Sequence, residues 1–419
     1  MKFHIKSLGC KINQFDAATL GETLSAGGGE AVALAEDADV QVIFTCTVTG
    51  KSDYQCRQEI RRAVKAKGNG SGMVLVTGCY AQTAPEAIKK IDGVDTVIGN
   101  ENQGSIPDII GGRFGFSMEK AIIFGAQAIG GRSRAFLKAQ EGCDSFCSYC
   151  IVPYARGRSR SARLDDVLAK ANGLIANGYH EIVLTGVHLG AYGKDIGGLR
   201  LSDLVAALLD RPGLGRLRLS SIEPMEIDGP LLELVGFTKF CRHLHVPLQN
   251  ANDNVLASMG RGYTWNDYLK TLKGIEKAAP GACIGADVIV GYPNEDADAF
   301  EETLRRVEDS PINYLHVFSY SPRSRTRAYE MGDTVKGDVK RERSERLREL
   351  GNKKNLEFRR SLVGKVTEVV VEAKNEAYSG LTDNYVRVTF DGKDIPSGKP
   401  VKVKITGTDE NSTRGRIDG

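Results

Sequence analysis

The chain has 419 residues, 41% of them hydrophobic and 26% charged, with a net charge of +3. That length points to two or three domains of a soluble globular protein, and no run approaches the roughly 18 apolar residues that cross a bilayer. The opening residues Met1 to Ser7 alternate like a strand and lack a signal-peptide core, so a cytoplasmic protein is expected. There, nine cysteines read as metal ligands or reactive thiols sooner than as disulfides.

Residues 1 to about 110 repeat one pattern: an apolar strand-like run, a cysteine where it ends, then a helical segment. The runs Phe3–Leu8, Val40–Phe44 and Met73–Val76 lead into Cys10, Cys46 and Cys79, which stand 36 and 33 residues apart, and a cysteine-free run follows at Val94–Ile98. Such intervals fit βαβ units, whose crossover helices make the strands parallel. Parallel strands put their C-terminal ends on one edge, where open α/β folds bind ligands. The three thiols then either form one site or merely pack at strand ends. Cys56 falls in the helical stretch Asp53–Ala66 and reads as structural.

After a Gly-rich connection at 111–131 comes Gly142-Cys143-Asp144-Ser145-Phe146-Cys147-Ser148-Tyr149-Cys150, with thiols in a C-x3-C-x2-C pattern. Three thiolates leave one iron of a cubane without a protein ligand, whereas electron-transfer clusters usually take four. Zinc sites usually show a second close Cys/His pair, and none follows. Strand-like segments at 135–139, 181–184, 216–219, 243–246, 284–290 and 314–318 then alternate with helical ones. This pattern predicts a (β/α) barrel or partial barrel with its chemistry at the C-terminal strand ends. His243 and His245 share one strand face and are not read as ligands.

Seven Lys/Arg against two Asp/Glu lie between Arg132 and Arg163, and ten against five between Lys336 and Arg360, islands that suit a polyanionic substrate. Val339–Arg360 reads as a charged connecting helix on the barrel surface. From Gly364 onward, β-branched runs and turns predict a small all-β barrel ending in a polar tail after Gly407. The expected fold class is thus α/β multidomain: a parallel-sheet α/β domain over 1–112, a partial (β/α) barrel with its connecting helix over 129–360, and a β-barrel over 363–419.

Several segments together resemble the radical S-adenosylmethionine (SAM) methylthiotransferases. They are Ser7-Leu8-Gly9-Cys10-Lys11-Ile12-Asn13-Gln14, Thr45-Cys46-Thr47-Val48-Thr49, Thr77-Gly78-Cys79-Tyr80-Ala81-Gln82, the motif from Cys143 through Gly157, Ser220–Pro224 and His245–Gln249. Phe44, Asn250-Ala251 and Asn294 depart from the family's usual Asn, Ser-Gly and Gly. The resemblance implies two 4Fe–4S clusters: one on Cys143, Cys147 and Cys150 that cleaves SAM, and an auxiliary one on Cys10, Cys46 and Cys79 that carries sulfur. Tyr149, Gly186, Glu223 and Gln249 are expected to line the SAM pocket. The C-terminal module resembles a TRAM domain, an RNA-binding barrel. The stretch from Thr45 to Asp53 is most similar to the branch acting on N6-threonylcarbamoyladenosine beside the tRNA anticodon. Sister branches modify isopentenyladenosine in tRNA or an aspartate of a ribosomal protein, and a noncatalytic iron–sulfur RNA-binding protein is the alternative of another class. Arg156, Arg158 and Arg160 are expected to hold phosphates of the anticodon loop. Further expected partners are an electron donor such as flavodoxin or ferredoxin and a sulfur donor or iron–sulfur assembly system, with no membrane contact and a monomeric state.

Overall fold

The structure is a computed structural model that describes residues 1–67, 72–115, 126–127, 133–374 and 377–418. Most of the expected connection at 111–131, and Arg132, lie outside these residues.

The first layer is a parallel sheet of β1 (Lys2–Ser7), β2 (Val40–Thr45), β3 (Met73–Gly78) and β4 (Thr96–Ile98), with the short strand Glu30–Ala31 on the far edge of β1. β2 and β3 are buried at every position, as expected of central parallel strands covered by helices on both faces. Ser7 pairs with Phe44, and Phe44 with Thr77, so the three strands end level. Phe44 packs in the apolar core with Phe3, Val42 and Leu75.

The second layer holds six parallel strands: β5 (Ala135–Glu141), β6 (Glu181–Gly186), β7 (Arg216–Leu219), β8 (His243–His245), β9 (Cys283–Val290) and β10 (Tyr314–Ser319). Hydrogen bonds from Leu217 N to Lys239 O and from Ile222 N to His245 O join its two halves into one curved wall. Amphipathic helices such as Trp265–Ala278, which buries Trp265, Tyr268, Leu272 and Ile275, close its outside. The expected partial barrel is therefore present, with all six strands. The departure at Asn250 forms part of its scaffold: Asn250 donates to Glu295 (2.9 Å) and accepts from Thr303 (3.0 Å), and Arg343 of the helix Gly337–Arg360 grips Glu295.

The C-terminal layer is a closed barrel of β11 (Val366–Lys374), β12 (Tyr378–Thr382), β13 (Arg387–Asp391), β14 (Pro400–Thr408) and β15 (Thr413–Ile417). The expected polar tail after Gly407 is corrected here. β15 pairs with both β13 and β14 and closes the barrel, because Thr413 turns inward while Arg414 and Arg416 stay in water.

This barrel stoppers the N-terminal mouth of the larger one. Glu181, fully buried, takes Arg216 (2.6 Å) and Arg218 (2.7 Å), and the same arginines donate to Leu381 O and Thr382 O. Tyr385 then inserts its ring 4.1 Å from that of His243, nearly parallel to it.

Candidate functional site

Cys46 and Cys79 directly follow β2 and β3, and Cys10 stands three residues past β1, so the level strand ends gather the three thiols on one edge. Two glycines let the loops approach. Gly9 (φ 91°) could not carry a Cβ, which would sit 2.5 Å from Cys46 Cβ, and at Gly78 (φ 97°) one would sit 2.5 Å from the Thr45 backbone. Asn13 ties the loops together by donating to Leu8 O (2.7 Å) and Thr45 O (2.8 Å). Cys10 is exposed; Cys46 and Cys79 are buried.

Burial pushes the Cys46 thiol up to about 11, and the neighbouring thiols Cys79 and Cys10 add to the rise. Burial also raises Cys79, opposed by the Arg156 guanidinium. Three mutually repelling thiols deprotonate readily only around a cation, which is how a bound metal alters the pKa of its ligands. Asn100 reaches Cys79 Sγ at 3.5 Å while bonding Ala155 O (2.6 Å) of the barrel. Cys56 is placed as expected: its sulfur accepts from Cys46 N (3.2 Å) and donates to Cys46 O (3.3 Å), bracing the loop from behind.

The second set follows β5. Gly142 (φ 75°) passes so close to Arg158 O that a Cβ would lie 2.0 Å away, which turns Cys143 into the loop. Cys150 N bonds Cys147 O (2.9 Å), and Ser148 is held by Met259 O and Ala328 N. Basic groups aim at the sulfurs: His188 Nδ1 lies 3.4 Å from Cys143 Sγ, and Arg261 donates to Cys147 Sγ at 3.3 Å. Burial opposes ionisation of Cys143, but the His188 contact outweighs it and lowers its pKa. His188 is pushed up to about 10 because Cys143 and Glu226 overcome its own burial. Cys150 is driven up to about 12 by burial and by Cys147 and Cys143. Each set thus offers three converging sulfurs, a donor set that fits an iron–sulfur cluster with one iron left open.

Tyr149 and Gln249 line a cavity of about 210 Å³ together with Val48, Thr49, Cys150, Asp287, Ile289 and Phe318. Gln249 holds a left-handed backbone (φ 70°), accepting from Ile289 N and donating to Asp287 O. Glu223 does not line this cavity but grips Arg261, whose other nitrogen reaches Cys147. Gly186 packs against Gln140 and Leu189, where a Cβ would come within 2.9 Å of the Gln140 side chain. Of the expected phosphate contacts, Arg158 and Arg160 are exposed, Arg158 beside Asp144 (2.6 Å). Arg156 is corrected: it is 5% exposed and bonds Asp16 (2.8 Å), Glu141 (3.1 Å) and Asn13, so its charge fastens the first layer to the barrel. Arg156→Ala is expected to cost about 1–3 kcal/mol, because Asp16 and Glu141 stay buried with Lys138 as their one remaining shared cation; thermal unfolding checks it. His188, Glu226 and Arg261 were not expected. His188 could have been found two residues past the end of β6, but Arg261 arrives from a loop with no local signal.

The fold and the three-thiol loop define a radical SAM enzyme. The chain matches the Radical SAM superfamily over residues 137–307 and the Uncharacterized protein family UPF0004 over 2–99. In fold it is similar to the radical SAM methyltransferase TsrM of Kitasatospora setae, with a TM-score of 0.57 at 14% identity over 78% of this chain and 77% of that one. Curated relatives include the threonylcarbamoyladenosine tRNA methylthiotransferase MtaB of Bacillus subtilis, 38% identical over 96% of this chain and 93% of that protein. The Aquifex aeolicus protein of the same name is 36% identical over 97% and 100%. A tRNA-2-methylthio-N(6)-dimethylallyladenosine synthase of Oceanobacillus iheyensis is 33% identical over 99% of this chain and 83% of that protein. The chain belongs to the MtaB-like radical SAM methylthiotransferases. Its cofactors are SAM and two 4Fe–4S clusters.

Proposed function

We propose that the chain acts on tRNA and converts N6-threonylcarbamoyladenosine beside the anticodon into its 2-methylthio derivative. The observation that carries this reading is the cavity described above. Val48 and Thr49, two and three residues past Cys46, line it together with Tyr149 and Cys150, so the loops that carry the two three-thiol sets meet at one chamber.

The adenine C2–H bond is not acidic, so no side-chain base can open it, and the reactivity must come from cofactors. Cys143, Cys147 and Cys150 would hold the cluster that supplies the reducing electron for SAM, and Cys10, Cys46 and Cys79 would hold the one that supplies the sulfur. The chain's own residues orient and shield. Arg261 donates to Cys147, and His188 places positive charge against Cys143, which favours the Cys143 thiolate. Tyr149 and Gln249 wall the chamber, Glu223 fixes Arg261, and Gly186 leaves room at the end of β6. Arg158 and Arg160 take phosphates while the target base is splayed into the chamber. Replacing both with Ala is expected to weaken tRNA binding and reduce the salt slope by about 1–2; titrations at several salt concentrations test this.

The deciding experiment is mass spectrometry of nucleosides from total tRNA with and without the gene. Loss of 2-methylthio-N6-threonylcarbamoyladenosine, with its precursor accumulating, is the expected result. Loss of the isopentenyl derivative instead would reassign the substrate, and an unchanged tRNA profile would move it to the ribosomal protein.

A further inference from the structure

Asp287, in the lining of the chamber, belongs to a cluster that the chemistry above does not use. His245, Asp287 and His316 stand on three adjacent parallel strands, β8, β9 and β10, where Asp287 pairs with His316 and His245 with Gly285. Asp287 Oδ1 lies 2.9 Å from His245 Nε2 and 3.3 Å from His316 Nδ1, and the two imidazoles stack 5.0 Å apart. The group is braced from below: Tyr314 Oη meets His245 Nδ1 (3.0 Å) and His243 Nε2 (2.9 Å), and His243 rests on Tyr385. It is also open above, since the His316 side chain is 55% exposed and Asp287 lines the chamber.

Its surroundings make it selective. Val48, Ile151, Val152, Ile289 and Phe318 give the chamber an apolar wall, and Asp287, with His245 and His316 bonded behind it, brings a concentrated polar group to a mostly apolar pocket. An apolar N6 substituent pressed on it would strip water from a carboxylate and two imidazoles and return no hydrogen bond. A substituent bearing a carboxylate, a hydroxyl and ureido N–H groups offers acceptors to the imidazoles and donors to Asp287.

We infer that His245, Asp287 and His316 form the subsite for the amino-acid end of the N6 substituent, and that His316 separates threonylcarbamoyl from isopentenyl substrates. The inference rests on the tRNA methylthiotransferase reading and gives that reading its substrate choice. Sites built to hydrogen-bond a substrate group reject analogues lacking it far more strongly than apolar pockets reject an added methylene.

The test uses the reconstituted holoenzyme with synthetic anticodon stem-loops carrying either nucleoside. His316→Leu is expected to lower kcat/KM for the threonylcarbamoyl hairpin by about 30-fold or more, mainly through KM, and to shrink its preference over the isopentenyl hairpin by a similar factor. His316→Gln, which keeps a donor, should recover part of the loss. Iron content equal to the wild type verifies that each variant has folded and loaded. An unchanged preference in His316→Leu overturns the subsite while leaving the reaction standing. Wild-type enzyme that methylthiolates neither hairpin overturns the reaction itself. A stoichiometric non-iron metal in the wild type, lost in His245→Ala, would make the cluster a cation site and also overturn the inference.

Discussion

Replacing Cys10, Cys46 and Cys79 together with Ala removes about half of the iron and all methylthiolated product, while reductive cleavage of SAM to 5'-deoxyadenosine survives. The halving follows from two cubanes of four irons each. Survival of cleavage follows from the separate support of the second set: Cys143 answers to His188 and Cys147 to Arg261, and neither contact passes through the first layer. The reciprocal replacement of Cys143, Cys147 and Cys150 loses cleavage and product together and keeps the other half of the iron. Iron assay and chromatography of the deoxyadenosine product check both. Loss of all iron from the first variant would show that the two sites fold as one unit. Cys56→Ser is the control, since the Cys56 sulfur hydrogen-bonds the backbone of Cys46, a contact a hydroxyl can keep, and the variant should leave iron content near the wild type.

The second large effect lies at the mouth closed by the C-terminal barrel. Glu181→Leu leaves Arg216 and Arg218 buried side by side without their shared carboxylate and is expected to cost about 3–5 kcal/mol. Limited proteolysis should then release a fragment near residue 363. The same contact carries an acid sensitivity. Burial works against ionisation of Glu181, but Arg218 and Arg216 hold its pKa at about 2, below the ordinary 4.5. A carboxylate depressed in the folded state contributes stability that is fully present above its unfolded pKa and lost as pH falls through the folded one. The wild type should therefore loosen here between pH 4.5 and 2, and Glu181→Leu should show a smaller transition in that window, since Glu368 at the same seam is also held below its ordinary value by His180. Proteolysis across that range measures it.

Much of the site was legible in the sequence because its ligands are cysteines placed by strand ends. Period and spacing put Cys10, Cys46 and Cys79 on one edge, and three thiols within eight residues mark Cys143 to Cys150. The six barrel strands were legible too, since most are short apolar or alternating runs between helical stretches. Arg156 was misread because composition cannot tell a solvated arginine from a buried one. Its neighbours Asp16 and Glu141 lie 140 and 15 residues away and meet it only in the fold. The cluster of His245, Asp287 and His316 escaped for a related reason. His245 looked like half of a pair with His243, whereas its partners come from two later strands. β15 was missed because its outward-facing residues are charged and only Thr413 marks the inner side.

The ring of Tyr385 seated on His243 has a bearing on solvent and reaction fidelity. A carbon radical formed above the barrel survives only where stray hydrogen donors are excluded, and an open-ended barrel is a drainpipe for water. Here a turn of the C-terminal barrel serves as the bung, set by the backbone carbonyls that Arg216 and Arg218 grip. Cutting the chain after the helix Gly337–Arg360 would unplug the reaction vessel from below. Grafting this barrel onto a relative would succeed only if the seat, Glu181 with its two arginines and His243, travelled with it.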